Sequence, residues 1–537
     1  MKTVLRCLLA TVFLCITVSA LAGTTSVNGQ SLTIALVHFK VQYKEPARNL
    51  EELKKLHREA AAKGAKIIFN TELALTGYSF SSREDIRPFT QTVDSRLVRE
   101  IADLAKELAV YIGITFPERD VQTDSFYNAA AVFSPQGKLV CNYHKIYGEK
   151  RWARPGSPYQ NNLFLTPWGM VGVVICADSY FDLIPRTLAL KGADLIWVPA
   201  NWPPMGQLSP VDIWSIRAME NGVYLAACNR TGKDKTMDCS KAESAVIAPD
   251  GTPLVSRSSE ESALLFANIS LDENGQISKM QRKQKMGTRN VALYRQLYLD
   301  PWTENLTMYY QLPDPGKILL HSLTSAQNPL DIGAIEAQVA AESSPSPALW
   351  LLPQTGVDVL NKEKLQAIAR SYNCAFALSV RSEQGNVSEL LITKEGIQSF
   401  TDAKGELPYR LLRFGPAAVA MVPLNELRHP ELGVVLAKLG CDLVLVSEPE
   451  LSALDIRLAK VRTIDNFAIA ASGSNRAVIA QMKGVHGDIQ VQMSDNGRSC
   501  VLELDTVETR SKEFYDRVDF DVLLRDDKGE LKNEYVQ

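Results

Sequence analysis

The chain has 537 residues, 46 % of them hydrophobic and 22 % charged, with a formal net charge of −3. That balance excludes a disordered chain, which combines low hydrophobicity with high net charge, and the lack of any basic run argues against a nucleic-acid partner. Its six histidines are scattered without an H-E-x-x-H pair and its nine cysteines without C-x-x-C spacing, so no metal site is expected.

Residues 1–22 have the plan of a secretory signal peptide. Lys2 and Arg6 precede an apolar run over 7–18, and Ala20-Leu21-Ala22 offers small residues for cleavage. The mature protein is therefore expected to be exported, periplasmic or secreted. A retained anchor is the alternative, although the run falls short of the about 20 apolar residues that span a bilayer. No later segment approaches that length, so no integral membrane span is expected once the signal is removed.

Strand and helix patterns then alternate. Residues 32–37 read as a strand, 47–62 as an amphipathic helix and 66–69 as a strand ending toward Glu72. A helix over 95–108 follows, then strands near 111–115 and 128–133. A turn at Pro135-Gln136-Gly137 leads the chain back toward Lys145. Residues 171–178 form a nearly unbroken β-branched run of the kind buried on both faces of a sheet, and it carries Cys176 at its end. A helix opening at Pro185-Arg186, a strand over 194–198 and a helix over 211–221 complete the series. This alternation predicts an α/β protein with helices outside a layered sheet core.

Three strand ends thus carry Glu72, Lys145 and Cys176 in that order. A free thiol near pKa 8.5 is only a few per cent ionised at neutral pH, so a nucleophilic cysteine needs a base and a cation beside it. A cysteine after an apolar run is more often an inert small hydrophobe. The order of the three residues makes the case. It resembles the nitrilase superfamily of carbon-nitrogen hydrolases over residues 32 to about 300. Gly77 and Tyr78 after the glutamate, Asp178 two residues past the cysteine, the segment 190–202 and the Arg217-Ala-Met-Glu-Asn221 helix fit the same pattern.

The resemblance implies a four-layer αββα sandwich and a Glu-Lys-Cys triad that hydrolyses a small linear carboxamide through a thioester, with no cofactor. It implies that Lys145 and the backbone N–H of Ala177 stabilise the oxyanion. Glu149 corresponds to a second glutamate that positions the substrate and orients the lysine, and Tyr180, Asn201 and Trp202 line the pocket. Asp178 is expected to bond the turn after the nucleophile, and His144 is read first as a half-buried strand histidine, with shaping the site beside Lys145 as the alternative. Nitrilase or N-carbamoyl amidohydrolase chemistry stays open, although no clear carboxylate-binding arginine can be assigned and Arg186 and Arg151 are no more than candidates. An acyltransferase or a ligand-binding protein is the alternative from another class.

Residues 301–316 are rich in turn formers and read as a linker. Residues 317–525 then repeat the first region at lower fidelity, ahead of a tail over 526–537. Gln354 falls where Glu72 stands, Leu424 where Cys176 stands, and Lys404 is as far from Gly396 as Lys145 is from Gly137. The segments 439–444 and 461–466 match 191–196 and 216–221. A leucine cannot attack a carbonyl, so this half is expected to be a degenerate nitrilase-like domain, paired with 23–300 as an intrachain pseudo-dimer. Further homo-oligomerisation is left open. Seven cysteines follow the leader, an odd number that predicts a free thiol, with Cys228 and Cys239 the nearest pair for a bridge.

Overall fold

Short runs of Val, Ile and Ala become the inner strands of the computed structural model, which describes residues 30–301, 305–325, 330–342, 346–357, 360–400, 409–495 and 498–525. The leader, Lys404 and the tail over 526–537 lie outside the described residues.

In the first half the strands are β1 (Ser31–His38), β2 (Ile67–Asn70), β3 (Tyr111–Asp120), β4 (Ser125–Phe133), β5 (Leu139–His144), β6 (Leu163–Thr166), β7 (Gly169–Val173), β8 (Leu195–Ala200), β9 (Tyr224–Asn229), β10 (Glu243–Ile247), β11 (Pro253–Ser258) and β12 (Ala263–Ser270). They form two sheets, ordered β12-β1-β2-β3-β4-β5 and β11-β10-β9-β8-β7-β6. The central neighbours β1, β2 and β3 run parallel, as do β7, β8 and β9, and hairpins extend both sheets outward. β2, β7 and β8 are buried throughout, as expected of strands sandwiched between layers.

Helices Pro46–Ala62 and Arg96–Leu108 cover the outer face of the first sheet. In the second helix Val98, Ile101, Leu104 and Ala105 recur at helical spacing on the buried side. Helices Leu183–Leu190 and Pro210–Asn221 cover the second sheet. The latter starts on a capping box in which Ser209 Oγ accepts from the Asp212 N–H at 3.0 Å while Asp212 Oδ2 accepts from the Ser209 N–H at 3.3 Å.

The second half repeats this plan strand for strand. Its strands are β13 (Lys317–Leu323), β14 (Ala348–Leu351), the two-residue β15 (Thr355–Gly356), β16 (Cys374–Arg381), β17 (Val387–Ile392), β18 (Ile397–Ser399), β19 (Leu412–Phe414), β20 (Ala417–Met421), β21 (Leu443–Ser447), β22 (Ala468–Ser472), β23 (Arg476–Met482), β24 (Ile489–Asp495) and β25 (Ser499–Asp505). The sheets run β18-β17-β16-β14-β13-β25 and β19-β20-β21-β22-β23-β24, the same connectivity and the same parallel centres. Helix Ala453–Arg462 even repeats the capping box, with Ser452 and Asp455. The chain is therefore two αββα sandwiches in tandem.

The two halves join along their second sheets' helices. Helix Pro210–Asn221 packs on Ala453–Arg462, and Leu183–Leu190 packs on Pro430–Lys438, within one apolar core that runs through both halves. Both faces of Pro210–Asn221 are thereby covered, which is why ten of its residues are buried. Charges are buried there only in pairs. Arg462 donates to Glu220 at 2.6 Å and Asp182 at 3.1 Å, and Arg289 reaches Glu431 at 2.8 Å.

Several boundaries differ from the sequence expectation. The apolar run over 171–178 stays in the ladder only to Val173, because the chain must turn to present Cys176. The helix expected at Pro185-Arg186 begins at Leu183, and the strand near 111–115 continues to Asp120. The linker is docked: Leu306 is buried, and Arg510 holds Thr307 Oγ1 at 2.8 Å and the Pro313 carbonyl at 3.0 Å. All seven described cysteines are unpaired. Cys228 lies between the sheets against the Val37 and Phe69 carbonyls, and Cys239 faces Asn201, so the two do not form a bridge. No helix among the described residues is long and apolar enough to cross a membrane.

Candidate active site

Glu72 sits two residues beyond β2, at the point where the two sheets of the first half meet. Its N–H bonds the Ala200 carbonyl at the end of β8 (3.4 Å), and Thr71 Oγ1 bonds the same carbonyl at 2.5 Å. The Glu72 carboxylate is fully buried. Oε1 accepts from Lys145 Nζ and from Asn128 Nδ2, both at 2.7 Å, while Oε2 has no hydrogen-bond partner.

Lys145 follows β5, and its backbone N–H bonds the Asn128 carbonyl at 2.8 Å. Asn128 thus fixes both residues, its side chain holding the glutamate and its backbone the lysine. Sequence reasoning missed this role. A lone amide heading the Asn128-Ala-Ala-Ala run of a buried strand was the available signal. Burial disfavours the Lys145 ammonium, but the Glu72 carboxylate and the Cys176 sulfur outweigh it and hold the group above its usual range.

Cys176 is the third member. The chain leaves β7 with Val174 N–H on the Trp197 carbonyl at 3.1 Å, and Cys176 then adopts φ 49°, the left-handed region in which a residue with a Cβ is strained. The turn is pinned from all sides. Asp178 accepts from the Ile175 N–H (3.1 Å), the Tyr147 N–H (2.8 Å) and Tyr143 Oη (2.7 Å), the structural part expected of it. Ser179 Oγ donates to the Cys176 carbonyl at 2.7 Å, and Arg217 Nε donates to the Ser179 carbonyl at 3.1 Å. Arg217 is in turn paired with Glu220 at 2.9 Å, so the Arg-Ala-x-Glu-Asn segment clamps the Cys176 turn. Burial pushes the Cys176 thiol up, and Glu72 adds to the rise; Lys145 and the Asn201 N–H act against both without cancelling them.

The auxiliary candidates gather around these three residues. Ala177 follows the cysteine in the turn, its carbonyl bonded by the Tyr180 N–H at 3.0 Å. Glu149 accepts from Tyr78 Oη at 2.9 Å and pairs with Arg151 at 3.0 Å. Tyr78 lies within electrostatic reach of Lys145, Glu72 and Cys176, so Glu149 borders the site through it. Asn201 takes a hydrogen bond from Arg230 Nε, and Arg230 pairs with Asp234 at 2.9 Å. The Trp202 and Tyr180 rings lie 5.9 Å apart.

Other expectations fall elsewhere. Arg186 lies at the junction of the halves, 3.4 Å from Glu431, and Arg151 is occupied by Glu149. His144 is the half-buried strand histidine expected, at the end of β5, bonded to Glu118 at 2.8 Å and stacked on Tyr127. Arg230, Asp234 and the second-half residues Met482, His486 and Tyr515 were not foreseen. Tyr515 packs on Tyr147 and Phe181 with centroids 4.4 and 3.9 Å apart, and His486 packs on Tyr180 at 5.2 Å. Only folding brings these residues to the neighbours of Lys145 and Cys176.

In the second half the same framework carries other residues at the matching positions. The Gln354 N–H bonds the Glu448 carbonyl at 3.2 Å, as Glu72 does to Ala200. Asp442 accepts from the Ala418 N–H at 2.8 Å and pairs with Arg510 at 2.7 Å, as Asp194 does with Met170 and Arg282 at 3.0 Å. Leu424 opens the helical turn Leu424–Leu427, buried and without the left-handed φ of Cys176.

Residues 33–279 match the family model described as carbon-nitrogen hydrolase. The chain is 34 % identical over 244 residues to a nitrilase of Pyrococcus abyssi, an alignment covering 44 % of this chain and 89 % of that protein. It is 28 % identical over 238 residues to the omega-amidase NIT2 of Homo sapiens, covering 41 % and 82 %. Among solved structures it is similar to Saccharomyces cerevisiae Nit3, a member of branch 10 of the nitrilase superfamily, with a TM-score of 0.41 and 22 % identity over 45 % of this chain and 90 % of that one.

Proposed function

Because the chain belongs to the carbon-nitrogen hydrolase family of the nitrilase superfamily, we propose that its first half hydrolyses a small linear carboxamide through an acyl thioester on Cys176. The observation that supports this most directly is the buried 2.7 Å pair of Glu72 and Lys145 beside a strained cysteine. A thiol pushed up by burial is protonated at rest, so it needs its base at the moment of attack. In this reading the Cys176 sulfur attacks the carbonyl carbon as Glu72 takes the thiol proton. Lys145 and the Ala177 N–H stabilise the oxyanion. Glu72 passes its proton to the departing nitrogen as the C–N bond breaks, leaving the thioester. It then takes a proton from water, which attacks the thioester carbonyl, releasing the acid and restoring the thiol.

The leader over 1–22 directs export in this reading. The catalytic domain is 23–300 and the degenerate domain 317–525, joined by 301–316 and followed by the tail 526–537. The test is intact-mass measurement on the mature protein and its Cys176→Ala form after incubation with amides, nitriles and N-carbamoyl compounds. An adduct of acyl mass, present only with Cys176, supports the amidase reading and identifies the acyl group. Unchanged turnover in Cys176→Ala overturns it.

A further inference from the structure

The loop after β8 and the hairpin between β23 and β24 line a half-open cavity of ≈ 300 Å³ to which both halves contribute. Met205 and Leu208 of the first half face Met482 and Ile489 of the second, with Gln207 and Asp488 on exposed positions at its rim. Two short paths connect it to the nucleophile. Trp202 directly follows Asn201, whose N–H reaches the Cys176 sulfur, and its indole N–H points at Met205 Sδ at 2.9 Å. Tyr180, one turn past Cys176, points its hydroxyl at Met482 Sδ at 3.8 Å. The Tyr180 and Trp202 side chains therefore touch the cavity's two methionines from positions next to the Cys176 turn. Its volume is at the small end of ligand pockets, and unbranched thioether side chains line irregular apolar ligands well. The buried ionic groups around the site are engaged in pairs, Lys145 with Glu72 and Arg230 with Asp234.

We propose that this cavity is a subsite for an unbranched, uncharged alkyl chain of the substrate, so that the second half, without a nucleophile, sets which amides the first half hydrolyses. The proposal rests on the amidase reading of Cys176. Each methylene buried there should multiply kcat/KM by about two- to fourfold.

The experiment uses the full chain with two matched series, n-alkanamides from acetamide to hexanamide and N-alkylacetamides of the same lengths. A rise confined to the first series places the acyl chain in the cavity, and a rise confined to the second places the departing amine there. Met482→Trp, which fills the cavity from the second half, should lower the hexyl-to-short-chain ratio of kcat/KM in the responding series by at least about tenfold. Met205→Trp, filling it from the opposite wall, should do the same and serves if the first variant fails to fold. A flat wild-type series, or the wild-type profile retained in the folded tryptophan variants, overturns the subsite while acyl adducts on Cys176 leave the amidase reading standing. Absence of any adduct or turnover with every amide sinks both.

Discussion

The two halves share connectivity, a capping box and a buried aspartate–arginine brace, yet differ at two strand ends, where Gln354 replaces Glu72 and Leu424 replaces Cys176. The first half carries Glu72, Lys145 and a cysteine in left-handed geometry; the second carries Gln354 and a leucine that opens an ordinary helical turn. The scaffold therefore does not require the strain. A left-handed residue with a Cβ costs about 1–2 kcal/mol, a strain that the proposed role of Cys176 accounts for. Once the sulfur is gone, at Leu424, the backbone has relaxed while both sheets persist.

Substitutions that carry one half toward the other break or sharpen this contrast. Cys176→Ala should have the largest effect, lowering kcat/KM by about 10⁴-fold or more and abolishing the acyl adduct in the mass spectrum. Glu72→Gln gives the first half the amide that the second has at Gln354. It removes the base, and steady-state kinetics should show a loss of about 10²–10⁴-fold. Arg462→Met strikes the junction and leaves Glu220 and Asp182 buried without their shared guanidinium. Urea unfolding should register a loss of about 3–5 kcal/mol. Arg217 and Glu220 also hold the nucleophile's turn, so kcat should fall with it.

The junction should also be acid-sensitive. Burial opposes ionisation of Glu431, but Arg186 and Arg289 outweigh it and bring its pKa down to about 2. A carboxylate depressed on folding stabilises fully above its unfolded value and loses that contribution as pH falls toward the folded one. The window runs from about pH 4.5 to about 2 and is worth about 3 kcal/mol. His429 beside it is lowered to about 4, by burial first and then by Arg186, so its contribution begins to fall below about pH 6.5. Unfolding free energies between pH 7 and 3 should decline, and less steeply in Glu431→Gln. The smallest effect is expected of Leu424→Cys. It should cost about 1–3 kcal/mol in packing and produce neither turnover nor an adduct at residue 424, because base and left-handed turn are missing there.

Much of this was legible because apolar periodicity marks strands, and reactive residues at strand ends stand out against it. Glu72, Lys145 and Cys176 stand at such strand ends, where the order shared with the nitrilase superfamily singles them out, and the internal repeat points to Gln354 and Leu424 opposite them. Asn128 escaped because an amide in a strand announces no partner. The loop carrying Arg230 and Asp234 has turn composition, and composition does not say what a loop covers. Met482, His486 and Tyr515 lie some three hundred residues from the turn they pack against, a proximity that only the docking of the halves creates. The Val171–Val173 strand was read too long because hydrophobicity continues past the point where hydrogen bonding turns away.

Met482 and Tyr515 face the reactive turn from a half that has no reactive turn of its own. In a pair of identical chains related by a two-fold axis, every residue at such a wall appears twice, so any change in it also alters the catalyst's own copy of that segment. Here each wall residue is encoded once. It can vary while the catalytic half keeps its sequence, and it accompanies its site at any dilution, since covalent attachment replaces association. Fusion thus lets the wall change independently of the half it faces.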